Sequence, residues 1–163
     1  MLSEPVKALF ESNTNARHAG DADRLAKEHK PNGVHVLTDL PYGIPDQLRK
    51  LDLYRPETQH EPLPVIIDFH GGGLYHGDKQ NTTCRDMYLA KYGFAVVNAN
   101  YRLVPQIGFQ GQLHDALDAI IWTNEHAHDY GMDTNALFLI GDSAATLLIL
   151  YLTAVLHSPV VAS

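Results

Sequence analysis

The sequence is poor in cysteine, in basic residues and in long apolar runs. Its one cysteine, Cys84, excludes an internal disulfide, and we expect it to be a small buried hydrophobic residue on a helix face. Twelve basic residues against 19 acidic ones give a formal net charge of −7, which argues against binding to a nucleic-acid backbone or an anionic membrane. We therefore expect neither nucleic acid nor a membrane among its partners.

The amino terminus and the apolar runs bear on location. Residues 1–5 lack a basic region followed by an apolar core, which predicts that there is no secretory signal. The longest apolar run, residues 147–156, is about half of the roughly 20 residues that cross a bilayer, so we expect a buried helix there. A single cysteine favours a reducing compartment. The sequence therefore predicts a cytoplasmic protein.

The 163 residues, 45% of them hydrophobic, suffice for one globular domain with its own core. Five short apolar runs are typical of strands: residues 34–40, 48–54, 64–69, 94–99 and 136–140. Residues 41–46, between the first two runs, carry the turn residues of a hairpin, so we expect these two strands to pair antiparallel. Helical patterns separate the later runs. This alternation predicts a three-layer α/β fold, a mostly parallel sheet with helices on both faces.

The first 32 residues differ from the rest in being polar and charged. Helical stretches are predicted at residues 6–11 and 21–29, and Pro31-Asn32-Gly33 ends the second. Their apolar content is low. We therefore divide the chain into an N-terminal arm or lid segment, residues 1–32, and a partial α/β domain, residues 33–163.

One stretch joins the apolar run 137–140 to Gly141-Asp142-Ser143-Ala144-Ala145 and then to a second apolar segment. The pattern is typical of a strand, a sharp turn and a helix, with a serine at the turn. Such an elbow suits a nucleophile because it exposes the hydroxyl and leaves the next N–H free, at a helix N-terminus, for a developing oxyanion. Ala145 departs from G-x-S-x-G, and taken alone such a serine is more often an ordinary helix N-cap.

A second motif lies about seventy residues upstream, where the apolar run 64–69 leads into His70-Gly71-Gly72-Gly73. Consecutive glycines let the backbone approach a substrate and point several N–H groups at one position, as an oxyanion hole requires. The alternative is a glycine-rich turn without a ligand. The presence of Ser143 favours the oxyanion hole.

Two other kinds of site fit the sequence less well. His114, His126 and His128 match no common metal-ligand spacing and have no carboxylate or cysteine cluster beside them. The glycines after residue 70 lack the third glycine of a dinucleotide-binding fingerprint, and Asp78 stands where a phosphate-binding loop needs lysine. We therefore predict neither a metal nor a cofactor.

Together the motifs resemble those of α/β-hydrolases of the hormone-sensitive-lipase-like carboxylesterase and lipase group. His70-Gly71-Gly72-Gly73, then Gly77-Asp78-Lys79, then Tyr101-Arg102-Leu103-Val104-Pro105, then Gly141-Asp142-Ser143-Ala144 occur in that family's order and at about its spacing. The resemblance covers about residues 34–157, the amino-terminal half of such an enzyme. It implies the sheet order 1-2-4-3-5, with an apolar edge exposed along residues 136–140.

The resemblance also implies roles for residues of this chain. Ser143 would be the nucleophile, and the N–H groups of Gly72, Gly73 and Ala144 would form the oxyanion hole. His70 and Gly71 would shape that loop, and the segment at Tyr101 would support it.

The sequence departs from the family pattern in three places. Ala145 and Thr146 stand where the family usually has two glycines, and Gln106 replaces an acidic residue. In the family the triad acid and histidine follow the nucleophile, but no Asp or Glu follows Asp142 here. The only later histidine, His157, lies fourteen residues on, roughly 21 Å along one helix.

The sequence therefore predicts a carboxylic-ester hydrolase acting on short acyl or aryl esters, present here as a half without the triad acid and histidine. The earlier histidines, His70 and His76 among them, are expected to be surface or loop residues. The alternative is a non-catalytic, truncated hydrolase that serves as an assembling scaffold or binding module. We expect this chain alone to be poorly active, and to form a homo-oligomer or to bind a complementing C-terminal half.

Overall fold

A five-stranded sheet organises the fold. The computed structural model describes residues 3–44, 47–59 and 61–158. The strands are Val34–Pro41 (β1), Lys50–Pro56 (β2), Leu63–Phe69 (β3), Ala95–Ala99 (β4) and Met132–Gly141 (β5). Their order in the sheet is β1-β2-β4-β3-β5, which confirms the predicted order. The predicted turn at residues 41–46 lies partly outside the described residues, since Pro45 and Asp46 are not among them.

The sheet is mixed. β1 pairs antiparallel with β2, and β2 pairs antiparallel with β4, so the first two strands form the predicted antiparallel opening. β3 pairs parallel with both β4 and β5. Since the carboxyl ends of parallel strands meet at one edge of a sheet, the segments after β3 and β5 come together there. Those segments carry the two sequence motifs.

Helices cover both faces of the sheet, as predicted. The helices of the fold are Glu4–Leu25 (α1), Thr83–Lys91 (α2), Phe109–Glu125 (α3) and Ala145–His157 (α4). α2 packs on one face of the sheet and α3 and α4 on the other, whereas the described side chains of α1 belong to neither core cluster. Alternate residues of β3 face opposite sides: Val65 and Ile67 belong to one core cluster with residues of α3 and α4, and Ile66 to the other with residues of α2. This is the three-layer arrangement that the alternation of strands and helices predicts.

α1 is one continuous helix of 22 residues, whereas the sequence predicted two separate helical stretches. The polar residues between them, Ser12 to Asn15, favour caps and turns when considered locally. Good helix formers on both sides carry the helix through, and Lys7 pairs with Glu4 at 2.6 Å near its first turn. The prediction underestimated how far a helix extends once it is nucleated.

The prediction that the apolar segment after Ser143 is buried on most sides is wrong for α4. Ala145, Leu148 and Leu152 are buried against the sheet and α3, but Leu147, Leu150 and Leu156 are 43%, 64% and 50% exposed. β5 is the edge strand next to β3, and its Phe138 is 52% exposed. The exposed edge along residues 136–140 is therefore as the family resemblance implied. Among the described residues, no helix is long and apolar enough to cross a membrane.

Cys84 lies on α2 and is half-buried rather than fully buried. Its thiol is 3.4 Å from the carbonyl oxygen of His29. Met87 and Ala90 form the face of α2 against the sheet, and Cys84 does not belong to their core cluster.

Candidate active site

Ser143 lies between the end of β5 and the start of α4. Its φ of 50° is in the left-handed region, which a residue with a side chain rarely adopts. Ala144, not Ser143, occupies the N-cap position of α4. The simple N-cap interpretation of Ser143 is therefore wrong, and the strained strand-to-helix turn is the one that the sequence predicted.

The two residues that replace the usual glycines are accommodated. Ala145 is fully buried, and a Cβ atom on Gly141 would come within 2.9 Å of the Ala145 Cβ and of the Phe69 carbonyl oxygen. Gly141 therefore leaves the space that the Ala145 methyl group occupies. Thr146 is exposed and points away from this packing.

The glycine motif forms a tight loop directly after β3. Gly72 and Gly73 have φ values of 122° and 64°, which favour glycine. The N–H groups of Tyr75 and His76 donate to the Gly72 carbonyl at 3.3 and 3.0 Å. A Cβ atom on Gly72 would collide with the His76 carbonyl oxygen, so this turn requires glycine. We call residues 71–77 the glycine loop.

The side chain of Asp142 joins the glycine loop to the elbow. The Gly71 N–H donates to Asp142 Oδ1 at 3.1 Å, and a Cβ atom on Gly71 would collide with the same carboxylate. The loop and Ser143 are therefore held beside one another by the residue that precedes the serine. The sequence analysis assigned no role to Asp142. Its position between Gly141 and Ser143 was the one feature of the sequence that could have suggested this contact.

Two buried aromatic rings support the loop from below. Tyr101 donates its hydroxyl to the His70 carbonyl at 2.8 Å, and the two rings stack at 4.6 Å. His70 Nδ1 donates to the Gly71 carbonyl at 2.7 Å. Burial lowers the pKa of His70 below its ordinary value, so its ring is neutral at pH 7. His70 is thus a buried residue at the start of the glycine loop.

A cavity of about 560 Å³ opens beside the elbow and the glycine loop. Ser143, Gly71 and Gly72 line one side. The other side includes His76, Arg85 and, from α1, Arg17, Asp21 and Arg24. We call this cavity the serine pocket. Part of the N-terminal segment, helix α1, therefore lines the same cavity as Ser143.

His157 and His126 lie away from the serine pocket, whereas His76 lines it. α4 is continuous from Ala145 to His157, so His157 lies at its far end, where its Nδ1 is 3.0 Å from the Thr153 carbonyl. His126 stacks on Trp122 and contacts the Trp122 carbonyl at 2.8 Å. Within the described ranges no group of three or more His, Cys, Asp or Glu side chains could hold a metal ion. His76, predicted to be only a surface or loop residue, shares the serine pocket.

A mixed sheet of this order, with a serine at a strand-to-helix elbow beside a glycine loop, defines an α/β-hydrolase. The BD-FAE family model matches residues 51–158, and the chain belongs to this family of hormone-sensitive-lipase-like α/β-hydrolases.

Similar proteins are esterases. The chain is 30% identical to versiconal hemiacetal acetate esterase of Dothistroma septosporum over 79% of its own length and 39% of that protein. It is 36% identical to ethyl acetate hydrolase of Pseudomonas putida over 77% of its length and 44% of that protein. Esterase B from Lactobacillus rhamnosis HN001 superposes with a TM-score of 0.92 at 31% identity, over 97% of this chain and 51% of that one. The chain therefore spans less than half of the two curated relatives and about half of esterase B.

Proposed function

We propose that this chain is the nucleophile-bearing half of a serine carboxylic-ester hydrolase, with Ser143 as the nucleophile. The observation that carries the proposal is the elbow: Ser143 is held at a φ of 50° and lines the serine pocket together with Gly71 and Gly72. Strained serine turns of this kind are characteristic of nucleophiles in α/β-hydrolases. The esterase relatives support the same reaction class.

In this proposal Ser143 Oγ attacks the ester carbonyl carbon while its proton passes to a base. The carbonyl oxygen becomes an oxyanion, which accepts hydrogen bonds from the N–H groups of Gly72, Gly73 and Ala144. Collapse of this intermediate breaks the bond to the alcohol, and water then releases the acid from the serine. The hydrogen bonds within the glycine loop would hold the N–H groups of Gly72 and Gly73 in place before the reaction, so that they need little rearrangement.

The glycine loop depends on its supports for this role. His70 and Gly71 lie at the start of the loop, and the contacts from Tyr101 and Asp142 fix its two sides. Neutral His70 adds no charge beneath the oxyanion. We propose that these residues position the oxyanion donors without contacting the substrate.

The base and its acidic partner are proposed to come from a polypeptide segment that follows the matched half in these hydrolases. No Asp or Glu follows Asp142 in this sequence, and His157 lies at the far end of α4. We propose that the carboxyl-terminal half of an α/β-hydrolase covers β5 and the outer face of α4, and that it supplies the triad acid and histidine. The structural alignment covers 97% of this chain but only 51% of esterase B. The unmatched part of esterase B supports the proposal that a carboxyl-terminal half covers this surface.

Short acyl esters are the proposed substrates. One relative is named for ethyl acetate and another for an acetate ester, and esterase B has been crystallised with a C4-C4 tributyrin phosphonate inhibitor. A cavity of about 560 Å³ has room for a small ester.

Hydrolysis of p-nitrophenyl acetate tests the proposal. We expect a protein that contains this chain together with the complementing half to release p-nitrophenol, and Ser143→Ala to lower kcat by several orders of magnitude. Ser12→Ala, on the exposed surface of α1, is the matched control and leaves the rate unchanged. We expect this chain without the complementing half to be poorly active. An unchanged rate in Ser143→Ala would rule out this nucleophile, and an inactive complemented protein would favour the non-catalytic scaffold.

A further inference from the structure

Helix α1 reaches the serine pocket with one polar face. Arg17, Asp21 and Arg24 follow one another at intervals of four and three residues, which places them on the same side of the helix, and all three line the pocket. No residue of α1 whose side chain the structure describes is buried, and among those described none belongs to either core cluster. Polar contacts are therefore what fixes this part of α1.

The shortest of these contacts joins Asp21 to His76. Asp21 Oδ2 accepts a hydrogen bond from His76 Nε2 at 2.8 Å, with the side chains 28% and 4% exposed. Asn81 Nδ2 also donates to Asp21 Oδ2, at 3.2 Å. Arg24 donates to the Asn81 carbonyl at 3.1 Å and lies 3.6 Å from Asp21 Oδ1. Asp21 is thus the centre of the contacts between α1 and the rest of the chain at this position.

Two ring contacts extend the same interface. The ring of His18 meets the edge of the His76 ring at a centroid distance of 4.5 Å. The Arg17 guanidinium lies 5.6 Å from the centre of the Tyr75 ring. Successive turns of α1 therefore contact successive residues of the glycine loop.

His76 belongs to the turn that places the oxyanion donors. Its N–H donates to the Gly72 carbonyl at 3.0 Å, and its own carbonyl occupies the space that a Gly72 side chain would need. Because the turn is so tight, a change in the position of His76 changes the backbone at Gly72. A contact that fixes the His76 side chain therefore also fixes the turn.

We propose that Asp21 is a positioning residue, whose contact with His76 fastens α1 over the serine pocket and holds the Gly72–His76 turn in place. The importance of this turn for ester hydrolysis rests on the proposed function. The coupling between α1 and the turn does not depend on it, and it is tested without catalysis.

The charges around Asp21 give the contact a pH dependence. Burial by itself would raise the pKa of Asp21, but the hydrogen bond and charge of His76, together with Arg24, lower it below its ordinary value. The charged or titratable groups that share this interface or the pocket around it are His18, His76, Arg17, Arg24, Glu28, Arg85 and Asp142. The pKa of Asp21 is lower in the folded state than in the unfolded chain. The contact therefore contributes its full stabilising free energy above about pH 4, and this contribution is lost as the pH falls through the folded-state pKa.

Hydrogen exchange measured by mass spectrometry tests the coupling on the full chain. We expect Asp21→Ala to accelerate exchange by about fivefold or more, in peptides from α1 and equally in peptides from the glycine loop. Peptides from β3 and β4 report whether the sheet is intact and should exchange as in the wild type. Asp23→Ala is the matched control, since Asp23 is 85% exposed on the same helix and its carboxylate lies 4.0 Å from the Lys27 ammonium, one turn along α1; it should change neither region.

Conservative variants of Asp21, measured at several pH values, distinguish the loss of a charged contact from a general loss of stability in α1. Asp21→Glu should restore part of the protection, and Asp21→Asn should lose the acid-induced release that the wild type shows below about pH 4, after correction for intrinsic exchange rates. Faster exchange in α1 with an unchanged glycine loop would overturn the proposal, as would an equal effect of Asp23→Ala. Since no step requires an active enzyme, this result stands apart from that of the Ser143→Ala experiment.

Discussion

The centre of the sheet and its β5 edge are both rich in apolar residues, but only the centre is covered. Val65 and Ile67 of β3 are not exposed at all, whereas Phe138 of β5 is 52% exposed and Leu150 of α4 is 64% exposed. Apolar composition sets how much free energy burial could contribute, at about 25 cal/mol per Å². A neighbouring element decides whether that burial takes place.

The two walls of the serine pocket differ in a similar way. The glycine loop is fixed by Tyr101, which is buried below it, and by Asp142, which is exposed beside it. α1 is fixed by partly exposed polar side chains, such as Arg24 at 46% exposure. Exposed ion pairs contribute only about 0–1 kcal/mol each and are weakened by salt. The start of the loop, next to Tyr101, therefore belongs to the stable fold, whereas α1 and the His76 turn that it contacts can open at a smaller free-energy cost.

The largest expected effect contrasts the two faces of α4. Leu148 is fully buried and its neighbour Leu147 is 43% exposed. Leu148→Ala should lower the free energy of unfolding by about 3 kcal/mol, because it removes buried methyl groups and leaves a cavity. Leu147→Ala, the matched control on the same helix, should cost less than about 1 kcal/mol. Urea unfolding followed by circular dichroism measures both, and equal losses would show that α4 has no preferred buried face.

A smaller effect is expected under the centre of the sheet, where Asp86 is fully buried. Thr82 donates to its Oδ2 at 3.0 Å. Burial, and then the neighbouring carboxyl group of Asp68, raise the pKa of Asp86 well above its ordinary range. Because the pKa of Asp86 is higher in the folded state, its ionisation does not reduce the free energy of unfolding below about pH 4. As the pH rises above that value, the free energy of unfolding falls.

Asp86→Asn should therefore stabilise the protein at pH 8 by about 1–2 kcal/mol, because a neutral amide replaces a group that resists ionisation. The gain should shrink as the pH falls toward about 4, because the unfolded chain then also takes up the proton that Asp86 holds in the folded state. Thermal or urea unfolding at several pH values measures this. Asp129→Asn is the control, since the Asp129 side chain is 72% exposed. A loss of stability of the same size at every pH would contradict the expected stabilisation.

Much of the fold could be predicted from the sequence because local signals agreed with the final packing. The apolar runs of β3 and β4 are short and bounded, and both strands are buried as such runs suggest. Gly141 and Ser143 predicted the elbow because only a few residue types fit a sharp strand-to-helix turn, so that their presence is informative. Strand order followed from the family resemblance rather than from periodicity.

The remainder depends on contacts between distant segments, which local patterns do not encode. The contact between Asp21 and His76 joins positions 55 residues apart, and neither residue has a spacing that would mark it. Hydropathy by itself predicted a buried α4, since it cannot show whether a covering element is present; the exposed apolar surface was expected only from the family resemblance. Asp142 was missed because its role depends on where the fold brings the N–H of Gly71.

The smallest expected effect on stability sharpens the comparison between the centre and the edge. Phe138→Thr combined with Leu150→Gln removes exposed apolar surface from β5 and α4 while keeping good strand and helix formers. Each change should alter the free energy of unfolding by no more than about 0.5 kcal/mol, because both side chains are more than half exposed.

The same double substitution should have a large effect on association, because the wild-type edge offers unpaired strand groups beside an apolar surface. Light scattering over a range of concentrations should show that the wild-type chain associates and that the double variant is closer to a monomer. Tyr92→Gln is the matched control: Tyr92 is 80% exposed, but it follows α2, which packs on the opposite face of the sheet from α4. A monodisperse wild-type monomer, or an equal response to Tyr92→Gln, would show that this edge does not drive association. Suppression of wild-type association by an added carboxyl-terminal half would identify that half as the occupant, whereas persistence of association would favour a second copy of this chain.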